Sequence, residues 1–185
     1  MFEFISDRPV LDFVATVSER HSSREEKLPT PADLQAWIAE SGLVDERVEV
    51  DDEQLDHARE VRESAFAVIA AAIDDRPAPA ADRARVNETA AGPRPVLRLE
   101  ADGRLRRRGD LPAVLAELAS DCLDLVGGPD RSALHWCADA TCTRPFVDRS
   151  RGQRRRWCGM KGCGDRAKAA AYRQRRSNRT SPASA

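Results

Sequence analysis

Apolar residues along this chain recur mostly at helical intervals. Between Asp51 and Ile73, residues Leu55, Ala58, Val61, Arg62, Ala65, Phe66, Ile69 and Ile73 follow an acid-rich start at three- and four-residue steps, which predicts the longest helix of the first domain. Leu111, Leu115, Leu118, Cys122 and Leu125 repeat in the same way and predict a helix over 111–126, with Cys122 as a small buried apolar residue. In the segment TPADLQAWIAESG, Thr30 is an N-cap, Pro31 opens the first turn, Gly42 is the stop, and Leu34, Trp37 and Ile38 share the core face. Val10, Leu11, Phe13, Val14 and Val17 predict a first helix, preceded by a short strand in the alternating MFEFIS. Residues 18–27 read as a polar loop or a frayed helix end, and 80–91 as a short helix after the proline break at 76–80. Alternating residues around Asp102 and Gly103 predict a β-hairpin.

The pattern gives an α+β fold: a mostly helical N-terminal domain with a small antiparallel sheet over 1–130, bounded by GlyGlyProAsp at 127–130. A smaller unit over 131–179 and a disordered tail over 180–185 complete the chain. A hydrophobic content of 41% suffices for a core. No apolar run approaches the roughly 20 residues needed to cross a bilayer, and no signal peptide opens the sequence, so the expectation is a cytoplasmic protein without a membrane partner. His21 and His57 lack ligand spacing, and Asp12 stands alone among apolar neighbours, suited to capping or to a buried hydrogen bond. No nucleophile motif, phosphate loop or HisxGlu pattern indicates an enzyme.

Charge changes the picture. Residues 131–185 hold fourteen Arg and Lys against three Asp, a balance of +11, while the first 130 residues carry −12, and the whole chain sums to −1. Such asymmetry suggests that the C-terminal part meets a polyanion. Within it, Cys137 and Cys142, then Cys158 and Cys163, form two CxxxxC pairs separated by fifteen residues. In a reducing compartment this spacing points to metal ligands rather than disulfides, and four sulfur donors leave no open position, so one structural Zn²⁺ is expected. Residues 133–136 read as a strand leading into the first pair, 144–148 as its return strand and 164–176 as a helix, the order of a treble-clef or ribbon-like zinc finger ending in a basic helix. Trp136 and Trp157, each just before a ligand, are expected to cover the metal, and His135 is a ligand only if one cysteine is not.

Candidate phosphate contacts are Arg149, Arg151, Arg154, Arg155 and Arg156 between the pairs, with Arg166, Lys168, Arg173, Arg175 and Arg176 on the helix, where Arg179 extends one flank. Ala167, Ala170, Ala171 and Gln174 form a small-residue face able to lie against the finger. If about five charges contact phosphate, log affinity should fall against log salt with a slope of about −4 to −5.

The segment from Trp157 to Arg173, WCGMKGCGDRAKAAAYR, resembles the CGNR zinc finger of bacterial stress-induced transcriptional regulators. LDFVAT at 11–16 and LPTPADLQAWI at 28–38 resemble their N-terminal ABATE domain. The resemblance implies a zinc-bound finger that contacts DNA in a stress-response transcription regulator, which would be nucleoid-associated when bound. The acidic domain is expected to sense a small-molecule effector or to form a homodimer, while the −12 and +11 halves suggest instead that it folds back over the finger and competes with DNA. The alternative is a zinc-stabilised protein- or RNA-interaction module. Two positions depart from the family pattern: Asp165 stands where the finger carries Asn, and Ala15 where the first domain carries Asn. Asp165 still suits a helix start but repels phosphate, and it could pair with Arg166 or a neighbouring Arg.

Overall fold

Among the described residues, six α-helices are interspersed with three separate antiparallel hairpins. In the computed structural model, which describes residues 2–180 with the side chains of 177–180 left aside, the helices are α1 (Pro9–Val14), α2 (Pro31–Ser41), α3 (Asp52–Ile73), α4 (Ala80–Ala90), α5 (Leu111–Gly127) and α6 (Asp165–Thr180). Strands β1 (Val17–Ser18) and β2 (Glu25–Glu26), β3 (Val96–Leu99) and β4 (Leu105–Arg108), and β5 (Leu134–Trp136) and β6 (Pro145–Val147) pair in that order. The tail expected at 180–185 lies, beyond Thr180, outside the described residues, as does the Arg179 side chain.

Local chemistry sets the helix ends. Thr30 and Asp33 close a reciprocal capping box at α2, Asp51 and Gln54 close another at α3, and Asp110 accepts from the Ala113 N–H at 3.0 Å to start α5. The hairpin at 96–108 forms as expected, with Gly103 left-handed at φ 81° in its turn.

Two apolar clusters fill the helical domain. One joins Phe13, Trp37, Ile38, Leu55, Val61, Leu111, Leu115 and Leu118; the other joins Val10, Leu11, Ala65, Ile69, Val86, Ala119, Cys122 and Leu125. The second cluster also takes Ala133, Leu134 and Val147, so β5 and β6 pack into the helical core. Burying Leu134 and Val147 contributes roughly 1.5–3 kcal/mol each. Cys122 sits inside this core with its thiol pushed up to about 12 by burial, as suits an inert packing residue.

Three expectations for the first thirty residues give way. Phe2 to Ile5 form no strand, because Phe4 packs on the Trp37 ring at 5.7 Å and the Ile5 N–H is taken by buried Asp12. Helix α1 stops at Val14, and Val17 enters β1 instead. Residues 18–27 are neither loop nor frayed helix throughout: their ends pair as β1 and β2, and two side chains from this region reach inward. Glu26 takes a bidentate pair from Arg62 of α3 at 2.6 and 2.7 Å, and Arg20 reaches Glu63 at 2.5 Å while its guanidinium lies 3.8 Å over the Phe66 ring. Arg62, 1% exposed, therefore sits in the core as a partnered ion.

Candidate metal centre

The β5–β6 hairpin delivers the first cysteine pair. Past Trp136 the ladder continues with the Cys137 N–H donating to the Arg144 carbonyl at 3.2 Å, and the Cys142 N–H closes a turn on the Asp139 carbonyl at 2.9 Å. The Asp139 carboxylate fixes that turn by accepting from the Thr141 N–H at 3.1 Å and its hydroxyl at 3.0 Å. The second pair sits on an irregular turn, Met160–Gly164, where Gly162 has φ 88° and the Gly164 N–H donates to the Gly159 carbonyl at 3.1 Å. Gly162 supplies a backbone that L side chains rarely adopt. A Cβ on Gly164 would lie 3.1 Å from the Met160 sulfur and 3.2 Å from the Gly159 carbonyl oxygen.

These turns bring Cys137, Cys142, Cys158 and Cys163 together, their sulfurs all within 4.8 Å of one another. The Cys142–Cys158 and Cys158–Cys163 separations are both 3.8 Å. Zn–S bonds of roughly 2.3 Å in a tetrahedron place sulfurs about 3.8 Å apart, so the set fits one structural zinc ion. Three of the four cysteines are buried and Cys142 is half-buried. A hydrogen bond from Cys158 holds Cys142 down to about 5, the same hydrogen bond pushes Cys158 up, and burial and then the Cys142 charge push Cys163 up to about 12. Four thiolates this close need a divalent cation among them. The protein adds donors of its own: the Cys158 N–H reaches the Cys137 sulfur at 3.4 Å, and Arg166 reaches the Cys163 sulfur at 3.1 Å.

The ten basic residues expected to meet phosphate divide into two groups. Arg149 pairs with Asp130 at 2.8 Å, Arg155 donates to the Trp157 and Cys158 carbonyls, Arg166 pairs with Asp139 at 2.9 Å, and Lys168 lies 3.7 Å from Asp165. Arg176 is also engaged. Arg151, Arg154, Arg156, Arg173 and Arg175 are exposed, with Arg156 held 5.5 Å over the Trp157 ring. Asp165 thus pairs with Lys168 in the first turn of α6, not with an arginine, because Asp139 has claimed Arg166. Its charge suits the positive end of that helix.

The small-residue face of α6 does not pack as expected. Ala167 is half-buried, but Ala170, Ala171 and Gln174 are exposed and line an open groove of about 780 Å³. The opposite wall is the first knuckle, residues 138–141, with Arg156 and Trp157. The Arg166–Asp139 pair ties the first turn of α6 to the knuckle.

The tryptophans also part. Trp157 packs on the cysteine cluster as expected. Trp136 turns instead to α3, its indole N–H donating to Asp74 at 2.9 Å and its ring lying 5.8 Å from that of Phe66. Position on β5 decides this, since Trp136 is directed at the helical domain that Leu134 already enters. Exposed His135 stays outside the sulfur cluster, near the Phe146 ring at 6.2 Å. Two organising acids carry no signal beyond a short polar side chain at a turn. These are Asp139, and buried Asp148, which accepts from the Ser150 N–H at 2.9 Å and the Arg155 N–H at 2.7 Å and so shapes the arginine loop. Asp139 is held below the usual carboxylate range because, against the desolvation of burial, Thr141 and Arg166 donate to it.

Where domain and finger meet, a cavity of about 200 Å³ is lined by Ala15, Ser18 and Lys27 on one side and Cys142, Thr143 and Arg144 on the other. Glu3–Arg144 at 3.0 Å and the Arg20 N–H on the Thr143 hydroxyl at 3.2 Å bridge the same junction.

Compared with known families, residues 7–129 match the ABATE model, described as "Putative stress-induced transcription regulator", and residues 134–176 match the CGNR zinc finger. No curated protein matches the chain. Among the described residues no helix is long and apolar enough to cross a membrane.

Proposed function

We propose, from the premise that this chain belongs to the ABATE family of transcription regulators and carries a CGNR zinc finger, that its C-terminal surface binds duplex DNA. Cys137, Cys142, Cys158 and Cys163 would hold the zinc ion, which when bound fixes both knuckles and offers no site for chemistry. The observation that carries the DNA reading is the groove between the first knuckle and α6, floored by small residues and flanked by exposed guanidiniums. Small residues let a phosphate backbone approach, and arginines on both walls can grip it. Of the ten candidate contacts, Arg151, Arg154, Arg156, Arg173 and Arg175 are not drawn into the ion pairs and carbonyl contacts described above, and five phosphate contacts would give a salt slope of about −4 to −5.

The test is anisotropy of a labelled duplex titrated with the zinc-loaded full chain at several salt concentrations. Arg173→Ala should flatten the slope by about 0.9 and weaken binding alike on every sequence. No binding at about 50 mM salt would overturn the reading, and binding to single-stranded RNA in its place would favour the interaction-module alternative. The junction cavity beside Cys142 is where a small effector would couple the first domain to the finger, since its walls come from both. The acidic domain sets few carboxylates against the basic surface, Asp130 on Arg149 being one, so effector coupling accounts for its presence better than masking does.

A further inference from the structure

Arginine is concentrated on the β3–β4 hairpin. Residues 94–108 hold six arginines against Glu100 and Asp102, a balance of +4 inside a first domain that carries −12. The ladder sets Arg98 directly opposite Arg106, with Val96 and Arg108 beside them, while Leu97, Leu99, Leu105 and Arg107 take the other face. Like charges directly opposite repel, and an anion between them removes that cost. The nearby carboxylates are all committed elsewhere. Glu46 and Glu100 are held by Arg108 at 3.3 and 3.6 Å, Asp102 by Arg104 at 3.5 Å, and Asp45 accepts from the Arg107 N–H at 2.6 Å. Among the described residues Arg98 and Arg106 have no ion-pair partner, and both are exposed.

We propose that Arg98 and Arg106 clasp the phosphate backbone of the same duplex that the finger grips, so that the acidic domain supplies a second DNA contact. This rests on the DNA-binding reading of the finger and extends it. Strand β4 ends at Arg108, just before α5, and β5 begins at Leu134, soon after α5 ends. The 17 residues of α5 therefore stand between hairpin and finger, a length of about 25 Å. One helical turn of DNA spans about 34 Å, so a single duplex has phosphates to offer both. Guanidinium forks suit phosphate oxygens, and two on adjacent strands can take one group from both sides. Elsewhere on the first domain a duplex would meet net negative charge, which leaves the hairpin as the part suited to this contact. The leucines lie on the opposite face and take no part in it.

Anisotropy of a labelled duplex, titrated with the zinc-loaded full chain at several salt concentrations, tests it. Seven phosphate contacts in place of five should steepen the salt slope to about −6, and Arg98→Ala combined with Arg106→Ala should flatten it by about 2, with zinc content and helical circular dichroism unchanged. Arg98→Lys combined with Arg106→Lys keeps both charges and should keep the slope. If the wild type binds duplex and the alanine pair moves neither slope nor affinity, the hairpin contact is overturned and the finger's is left standing. No duplex binding by the wild type at about 50 mM salt would remove both. A lysine pair as defective as the alanine pair would overturn the proposal, since the slope counts charge. So would an alanine pair that binds duplex normally but no longer binds phosphatidylglycerol vesicles as the wild type does, which would assign the hairpin to a lipid surface.

Discussion

From α1 to α5, apolar side chains close over one another in two clusters, and a partnered arginine is sunk among them. Around the sulfurs, by contrast, Phe146 and half-buried Trp157 are the apolar groups in contact. A unit of that size cannot bury enough surface to fold on packing alone, and the metal supplies what a core would. The two regions are therefore vulnerable to different insults: the helical domain to lost volume or an orphaned charge, the finger to lost coordination.

The sharpest way to break this contrast is Cys158→Ser. Structural zinc in finger peptides is worth about 10–16 kcal/mol of apparent binding, so removing a ligand should cost most of the metal and unfold α6 and both knuckles. Metal analysis and cobalt-substitution spectra read the site directly, and full metal binding in the variant would contradict four-sulfur ligation. Next in size, Arg62→Ala should destabilise the helical domain by roughly 3–5 kcal/mol, because Glu26 is left without its partner in a mostly buried setting. Urea unfolding checks the loss, and zinc content at low urea should be unchanged if the regions fail independently.

Acid offers a smaller version of the same test. Against the desolvation of burial, Arg62 donates to Glu26 and holds its carboxyl below the ordinary 4.5. A depressed carboxylate stabilises the fold fully above its unfolded value and loses that contribution as pH falls through the folded one. Melting temperatures between about pH 6 and about pH 3 should thus fall less steeply in Glu26→Gln than in wild type, zinc release in acid being common to both. An equal slope would remove Glu26 from the account. Smallest of all, Trp136→Phe keeps an aromatic ring against Phe66 but deletes the indole donor to Asp74, a change of about 1 kcal/mol seen in chemical denaturation.

What the sequence disclosed follows the range of the forces involved. Thr30 and the cysteine pairs act within a few residues, so spacing alone predicts that cap and the candidate ligands, whereas at Asp51 an acid-rich start was legible but not the Gln54 that completes the box. Trp136 sits beside Cys137 and reads as a metal cover, but its partners Phe66 and Asp74 lie far back along the chain, where no local pattern points to them. Residues 18–27 look solvated because ion pairing hides their burial: an arginine reads as surface until a carboxylate such as Glu26 or Glu63 is brought to meet it. The alanines of α6 show the converse error, since small residues at helical spacing describe a smooth face without saying what occupies it.

Leu134 and Val147 face the helical core, while Cys137 and Phe146, their near neighbours on the same two strands, face the sulfurs. The hairpin is in effect a party wall. A finger severed at residue 131 would carry an oily flank into water, and the truncated remainder would keep a notch where that flank had been. Transplanting the finger onto another protein would then require a host that offers a matching apolar seat, which sets a practical limit on treating the two halves as interchangeable parts.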